Sequence, residues 1–198
     1  MRLVRQAAAV LSVVLASSGL AQAYGIVAPS SVTTDMQVRE FFQNDPNLGS
    51  IENTIDGDLS TGIVTETSTG VVDYFFAPWV NGATGFSIWN NAGFQLADGE
   101  SIGLLDIEVR DSSNNSLFSQ ANVVVPEGND GNPFTIDFGG PINGVASVHL
   151  QIKANNGSIE SMDGTAWREV AINCVPEPAS LGLLGALVVI PFIRRRVG

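Results

Sequence analysis

From Val71 onward the chain alternates apolar and polar residues with a period of two. Leu105, Ile107 and Val109 are interleaved with Asp106, Glu108 and Arg110, and Phe134, Ile136 and Phe138 with Thr135 and Asp137. Successive side chains of a strand point to opposite faces, so each run predicts a strand with one dry and one wet side. Similar runs predict strands over 71–76, 86–90, 121–125, 145–153 and 169–173. Turn-forming clusters at 97–99, 112–115, 128–133 and 155–157 separate them. Only 35–43 carries a pattern that predicts a short helix. Many short strands without a convincing amphipathic helix predict an all-β, antiparallel β-sandwich rather than an α/β fold.

The two ends follow another pattern. Arg2 and Arg5 precede an apolar run over 7–15, and small residues lead to Ala21-Gln22-Ala23. That order is the one a secretory signal has, with cleavage before Tyr24, and its apolar core is shorter than the roughly 20 residues a membrane span needs. The Sec machinery and signal peptidase are the partners it implies. The expected organisation is a signal helix over 1–23, a secreted domain over 24–174 and a tail over 175–198.

The tail reads Val175-Pro176-Glu177-Pro178, then a nearly unbroken apolar run over 179–193, then Arg194, Arg195 and Arg196. The two prolines forbid helix and hold their neighbours extended, which suits a protease cleft. As a transmembrane helix the apolar run spans about 22 Å against about 30 Å of hydrocarbon, so the arginines must snorkel or the bilayer must thin. Three arginines also keep the C-terminus cytoplasmic while the signal sends the body across. This order of motif, span and basic cluster resembles the PEP-CTERM sorting signal. The resemblance implies recognition by exosortase, a membrane cysteine transpeptidase, with the tail anchored briefly in the inner membrane and removed near Pro-Glu-Pro. It also implies export in bacteria that make extracellular polysaccharide, with the product at the cell surface or in the extracellular matrix.

Removing the ends changes the electrostatics. Between Tyr24 and Val175 the basic residues are Arg39, Arg110, Lys153 and Arg168 against 19 acidic ones, a formal charge of −15. Such a body cannot neutralise a phosphate backbone, which excludes nucleic acid as a partner. It could attract divalent cations, and the same charge also serves solubility. Cys174 is the sole cysteine, so no internal disulfide forms; a structural cysteine at a strand end, an intermolecular bridge and a reactive thiol remain open.

Within the body, the stretch 53–61 (Asn-Thr-Ile-Asp-Gly-Asp-Leu-Ser-Thr) resembles the early loop of discoidin-type, galactose-binding-like jelly rolls, a group that includes carbohydrate-binding modules. The stretches 86–90, 107–112 and 167–172 fall in the order those domains show. The resemblance implies a structural Ca²⁺ held by the Asn53 carbonyl, the side chains of Asp56 and Asp58, Thr61, and Glu169 from the last strand. An oxygen-only donor set suits a hard cation, and Gly57 lets the backbone fold around it. A plain Asp-Gly turn without metal is the alternative. The loop is no EF-hand, since Thr61 and Thr67 stand where that motif needs glycine and glutamate.

Catalytic chemistry is sparse. His149 is the only histidine and falls on a polar strand face with Gln151 and Lys153, so zinc sites and serine triads lack material. Carboxylate pairs such as Asp56 and Asp58 are expected in so acidic a body and do not by themselves make a glycosidase. Among aromatic residues able to stack on a sugar, Trp89 and Trp167 lie in core-like strand positions and Phe94 is a further candidate. Trp79 follows Pro78 at a strand end and is the preferred ligand-binding residue. The expectation is a non-catalytic exported protein that binds carbohydrate or exopolysaccharide, with a purely structural or adhesive matrix protein as alternative and a secreted hydrolase as the least favoured.

Overall fold

Period-two alternation becomes two stacked sheets and a small clasp. A computed structural model of the chain describes residues 25–90, 99–128, 131–157 and 164–175. The signal residues Ala21, Ala23 and Tyr24, together with Phe94, Pro176, Glu177, Pro178, the apolar run 179–193 and Arg194, Arg195 and Arg196, lie outside the described residues. Among the described residues no helix is long and apolar enough to cross a membrane.

The strands are β1 (Gly25–Val27), β2 (Ser31–Thr34), β3 (Ile63–Val64), β4 (Gly70–Val80), β5 (Ala83–Ile88), β6 (Ile102–Arg110), β7 (Ser116–Val124), β8 (Phe134–Ile142), β9 (Val145–Asn155), β10 (Ala166–Trp167) and β11 (Val170–Cys174). One sheet has the order β2-β4-β9-β6-β7 and the other β1-β11-β5-β8, while β3 and β10 form a separate two-stranded clasp. The expected all-β sandwich is thus observed, with antiparallel registers along both main sheets.

The dry faces meet as the alternation requires. In β6 Leu105, Ile107 and Val109 are buried between half-buried Asp106, Glu108 and Arg110. Val72, Tyr74 and Phe76 of β4 face Phe86 and Ile88 of β5 and Trp167 of β10 within a single core cluster. Burying each such side chain contributes roughly 1.5–3 kcal/mol, which is what holds sheets whose wet faces carry little apolar area.

The expected helix over 35–43 is not formed; only a 3-10 turn, Glu40–Phe42, occupies that stretch. Long-range partners hold the residues before it extended. Val71 N–H donates to Asp35 Oδ1 (2.7 Å), Val38 bridges Thr65, and Arg39 N–H donates to the Val64 carbonyl (2.9 Å). Helical hydrogen bonds would forfeit all three.

Strand directions divide the connections sharply. The long ones, 35–69, 89–101, 125–133 and 156–169, all lie at one end of the sandwich; 28–30, 81–82, 111–115 and 143–144 lie at the other. Charge divides with them. Among described residues the long-connection end holds Asp35, Glu40, Asp45, Glu52, Asp56, Asp58 and Glu66 in its first segment and Glu100, Glu127 and Glu169 in the others. The short connections hold Asp111 alone. Two of the short turns clip each other: Gly82 N–H donates to Asn143 Oδ1 (2.8 Å) and Gly144 N–H to Asn81 Oδ1 (3.0 Å). Both glycines have positive φ (68° and 75°), the conformation these tight turns demand.

Candidate functional site

The 35–69 segment builds an oxygen-lined pocket beside the start of β11. Ile51–Thr54 forms a 3-10 turn, and Asn53 Nδ2 donates to the Pro46 carbonyl (3.1 Å), which fixes the Asn53 main chain. After Asp56 the chain reverses through Gly57 at φ +80°. Nothing lies within 4 Å of a Cβ there, so it is the backbone conformation and not space that calls for glycine. Thr61 Oγ1 then lies 2.8 Å from the Asp58 carbonyl, 3.1 and 2.9 Å from the two Asp56 carboxylate oxygens and 3.4 Å from the Asn53 carbonyl. One hydroxyl carries one proton, and four acceptor oxygens surround it.

Glu169 closes the cluster from the far end of the chain. Its backbone is held by Trp89 N–H donating to the Glu169 carbonyl and Arg168 N–H to the Trp89 carbonyl (2.8 Å each). Its Oε1 accepts from Gly57 N–H at 2.9 Å, and the residue is buried. Burial pushes its carboxyl up to about 7; a hydrogen bond and the like charge of Asp56 add to the rise, while backbone N–H groups of Gly57 and Asp56 oppose it. The five residues expected at a metal site are therefore gathered, with one change of role. The Asp58 carboxylate turns away to accept from Ser60 N–H (2.8 Å) and Ser60 Oγ (2.7 Å), which lowers its pKa, and only its carbonyl faces Thr61.

The donor set is thus two carboxylates, two carbonyls and a hydroxyl. Among the described residues no three Asp, Glu, His or Cys side chains gather at one point, so any cation here is held largely by neutral oxygens. That chemistry fits a hard cation such as Ca²⁺ and not a soft one.

On the same 35–69 connection the structure presents an aromatic ring that the sequence did not single out. Phe41 is 85% exposed on the Glu40–Phe42 turn, set edge-on to Phe42 with centroids 5.1 Å apart. The turn is pinned from both sides. Arg39 Nη1 pairs with the fully buried Glu100 at 3.0 Å, Phe42 N–H donates to the Arg39 carbonyl, and Glu40 N–H donates to Glu66 Oε1. The available signal was the Phe-Phe pair inside the 35–43 stretch, which was expected to be a short helix and forms only a 3-10 turn. At the same end an open cleft is lined by Asn90, Pro126, Glu127, Gly128, Asn132, Pro133 and Phe134.

The remaining candidates are scattered. Trp79 is on the surface (61% exposed), but at the short-connection end. Trp167 is fully buried and Trp89 half-buried just beyond β5. His149 is half-buried, its Nδ1 2.8 Å from Asp73 Oδ1 across the sheet's outer face, a paired rather than a solvated residue. Cys174 is buried at the end of β11, as a structural cysteine would be. Val175 is exposed.

No protein-family model matches the sequence, and no curated protein sequence matches it. Solved structures do resemble its fold. An F5/8 type C domain from Bacteroides fragilis superposes with a TM-score of 0.57 at 16% identity, covering 76% of this chain and 95% of that one. The family 32 CBM from C. perfringens NanJ in complex with galactose gives 0.55 at 10% identity, covering 76% and 98%. A fucose binding module from Streptococcus pneumoniae gives 0.50 at 18% identity, covering 75% and 96%. At these identities the likeness concerns architecture, and the chain's body has the discoidin-like β-sandwich fold of F5/8 type C domains.

Proposed function

We propose that this is a non-catalytic, exported carbohydrate-binding protein, delivered to the cell surface or extracellular matrix by an exosortase-type system and stabilised by Ca²⁺ in its first long loop. The observation that supports sugar binding is Phe41: a ring 85% exposed, on a turn anchored by a buried ion pair, in a fold shared with a fucose binding module and with a family 32 CBM solved with galactose. An immobilised, solvent-facing aromatic suits the apolar C–H face of a pyranose. Because the surrounding connections carry the acidic residues, the ligand is a neutral glycan and not a polyanion.

Calcium would be held by the Asn53 and Asp58 carbonyls, Asp56, Thr61 and Glu169, and would supply a charge tying the first long loop to β11. The sorting tail rests on Val175-Pro176-Glu177-Pro178, the run 179–193 and Arg194–Arg196.

A glycan array probed with the full chain and with Phe41→Ala tests the reading. Binding to neutral glycans that falls at least tenfold in Phe41→Ala, with the far-UV spectrum unchanged, supports it. Absence of binding to any glycan, with divalent-dependent self-assembly instead, would make the protein a structural matrix component. Mass spectrometry of the C-terminal peptide from the native host tests the sorting step: a cut near Pro178 is expected, and an intact C-terminus would refute it.

A further inference from the structure

We propose that Asn81 and Asn143 are coupled sites of spontaneous deamidation: each is held unreactive by the other's side-chain amide, and conversion of one releases the second.

The two turns are matched in chemistry and in register. Asn81-Gly82 and Asn143-Gly144 each carry the chain from one main sheet to the other, from β4 to β5 and from β8 to β9. Val80 pairs with Val145 on one side of this corner and Ala83 with Ile142 on the other. Between those pairs Gly82 N–H donates to Asn143 Oδ1 (2.8 Å) and Gly144 N–H to Asn81 Oδ1 (3.0 Å). The antiparallel ladder thus crosses the corner on side-chain oxygens, where backbone carbonyls serve elsewhere.

An Asn-Gly peptide has a reaction of its own. The glycine nitrogen attacks Cγ of the preceding asparagine, the bond from Cγ to the side-chain nitrogen breaks, and ammonia leaves with the attacking nitrogen's proton. Water then opens the five-membered imide. The product is Asp, or an isomer in which the former side-chain carbons have joined the main chain. Glycine has no side chain to hinder the attack. Here both reacting groups of each site are engaged by the opposite turn. Gly82 N–H is held by Asn143, and the Asn81 amide is held across the corner by Gly144 N–H; the same is true with the turns exchanged.

A mutual block fails in sequence. Both asparagines are exposed, so water reaches either imide. The isomerised product at position 81 lengthens the main chain by a methylene and carries its carboxylate off Gly144 N–H, which frees the second site. Two conversions set two carboxylates face to face in turns that hold no ionisable residue, and like charges opposite one another repel. The corner between the sheets is loosened irreversibly.

The third Asn-Gly pair, Asn156-Gly157, supplies an internal control. Asn156 Nδ2 donates to Ser101 Oγ (2.9 Å) and to the carbonyls of Ile102 (2.8 Å) and Val125 (3.1 Å), partners that belong to neither turn.

The test incubates the full chain in mildly alkaline buffer and follows each asparagine by peptide mass spectrometry. In the native protein Asn81 and Asn143 should convert at least about tenfold more slowly than in denaturant. Asn143→Ala should speed conversion of Asn81 by about three- to tenfold, and Asn81→Ala that of Asn143, as loss of one hydrogen bond allows. Asn143→Asp retains an acceptor for Gly82 N–H and should leave Asn81 slow, and Asn156 should be unchanged in every variant. Equal rates at Asn81 in the wild type and in Asn143→Ala overturn the coupling. Acceleration of Asn156 in step with Asn81 also overturns it, since that reports general loosening of the fold. Conversion of the native wild type at the denatured rate overturns the block itself.

Discussion

Gly57 N–H donates to Glu169 Oε1 at 2.9 Å, joining residues 112 positions apart and binding the first long loop to the start of β11. Beside this bond the oxygens of Asn53, Asp56, Asp58 and Thr61 converge with fewer protons than acceptors. A cation would relieve that imbalance in the folded state alone. At 100 times its dissociation constant it contributes about 2.7 kcal/mol by mass action, or roughly 5–11 °C for a domain of this size. Differential scanning calorimetry should show that rise with Ca²⁺ over chelator, and Asp56→Ala should remove it. An unchanged melting temperature would count against the cation.

The same carboxyl gives a pH dependence of defined sign. Burial and Asp56 hold Glu169 up to about 7, above its unfolded value of about 4.3. A raised carboxylic acid favours the folded state while protonated, so that contribution is complete below the unfolded pKa and is lost as pH rises through about 7. In chelator, the melting temperature of the wild-type protein should therefore fall between pH 5 and 8 relative to Glu169→Gln. Ca²⁺ selects the ionised carboxylate, so saturating Ca²⁺ should abolish the difference in slope.

The strands with strict alternation were legible because their period is set by the sheet itself. Leu105, Ile107 and Val109 announce β6, whereas Ser31–Thr34 has only Val32 buried and owes its strand to pairing with β4. The 35–43 stretch misled because Val38 and Arg39 spend their polar groups on partners distant in sequence, among them Glu100. At the oxygen cluster, Asp-Gly-Asp marked the place but not the atoms. Ser60 offers both N–H and O–H to the Asp58 carboxylate, and this local pairing decides which oxygen faces Thr61. Nothing local to Phe41 could show that its turn is anchored through Arg39.

The core carries a polar chain that should be sensitive to one atom. Trp167 Nε1 donates to Tyr74 Oη at 2.8 Å, and Tyr74 Oη lies 3.3 Å from Thr54 Oγ1, all buried. Tyr74→Phe keeps the ring and strands the indole N–H without an acceptor. The expected cost is about 1–3 kcal/mol, or about 2–12 °C in melting temperature. Urea unfolding should show a lower midpoint at unchanged slope, and a variant as stable as the wild type would mean the indole N–H finds another partner.

Cys174 is buried and its thiol is pushed up by that burial, so little thiolate is available at neutral pH. In the native protein, alkylation by iodoacetamide at pH 8 should be slowed at least tenfold relative to the protein in denaturant. Dimers linked through this cysteine should be absent until the sandwich unfolds. Rapid native labelling, read by mass spectrometry, would show instead that the end of β11 opens readily.

Arg39 and Glu100 form a deeply placed ion pair, Nη1 to Oε1 at 3.0 Å with the glutamate side chain fully buried. Their mutual attraction offsets a large desolvation cost, so the pair matters chiefly through what happens when one member is lost. Arg39→Met leaves a buried carboxylate without its counter-charge and should destabilise by about 3–5 kcal/mol. Replacing both, as Arg39→Met/Glu100→Leu, removes the orphaned charge and should recover most of that loss. If the pair also positions the Phe41 turn, the recovered double variant will remain folded yet bind neutral glycans more weakly than the wild type. Recovery of stability and full glycan affinity together would confine the pair to a packing role, with the turn held by its backbone bonds to Val64 and Glu66.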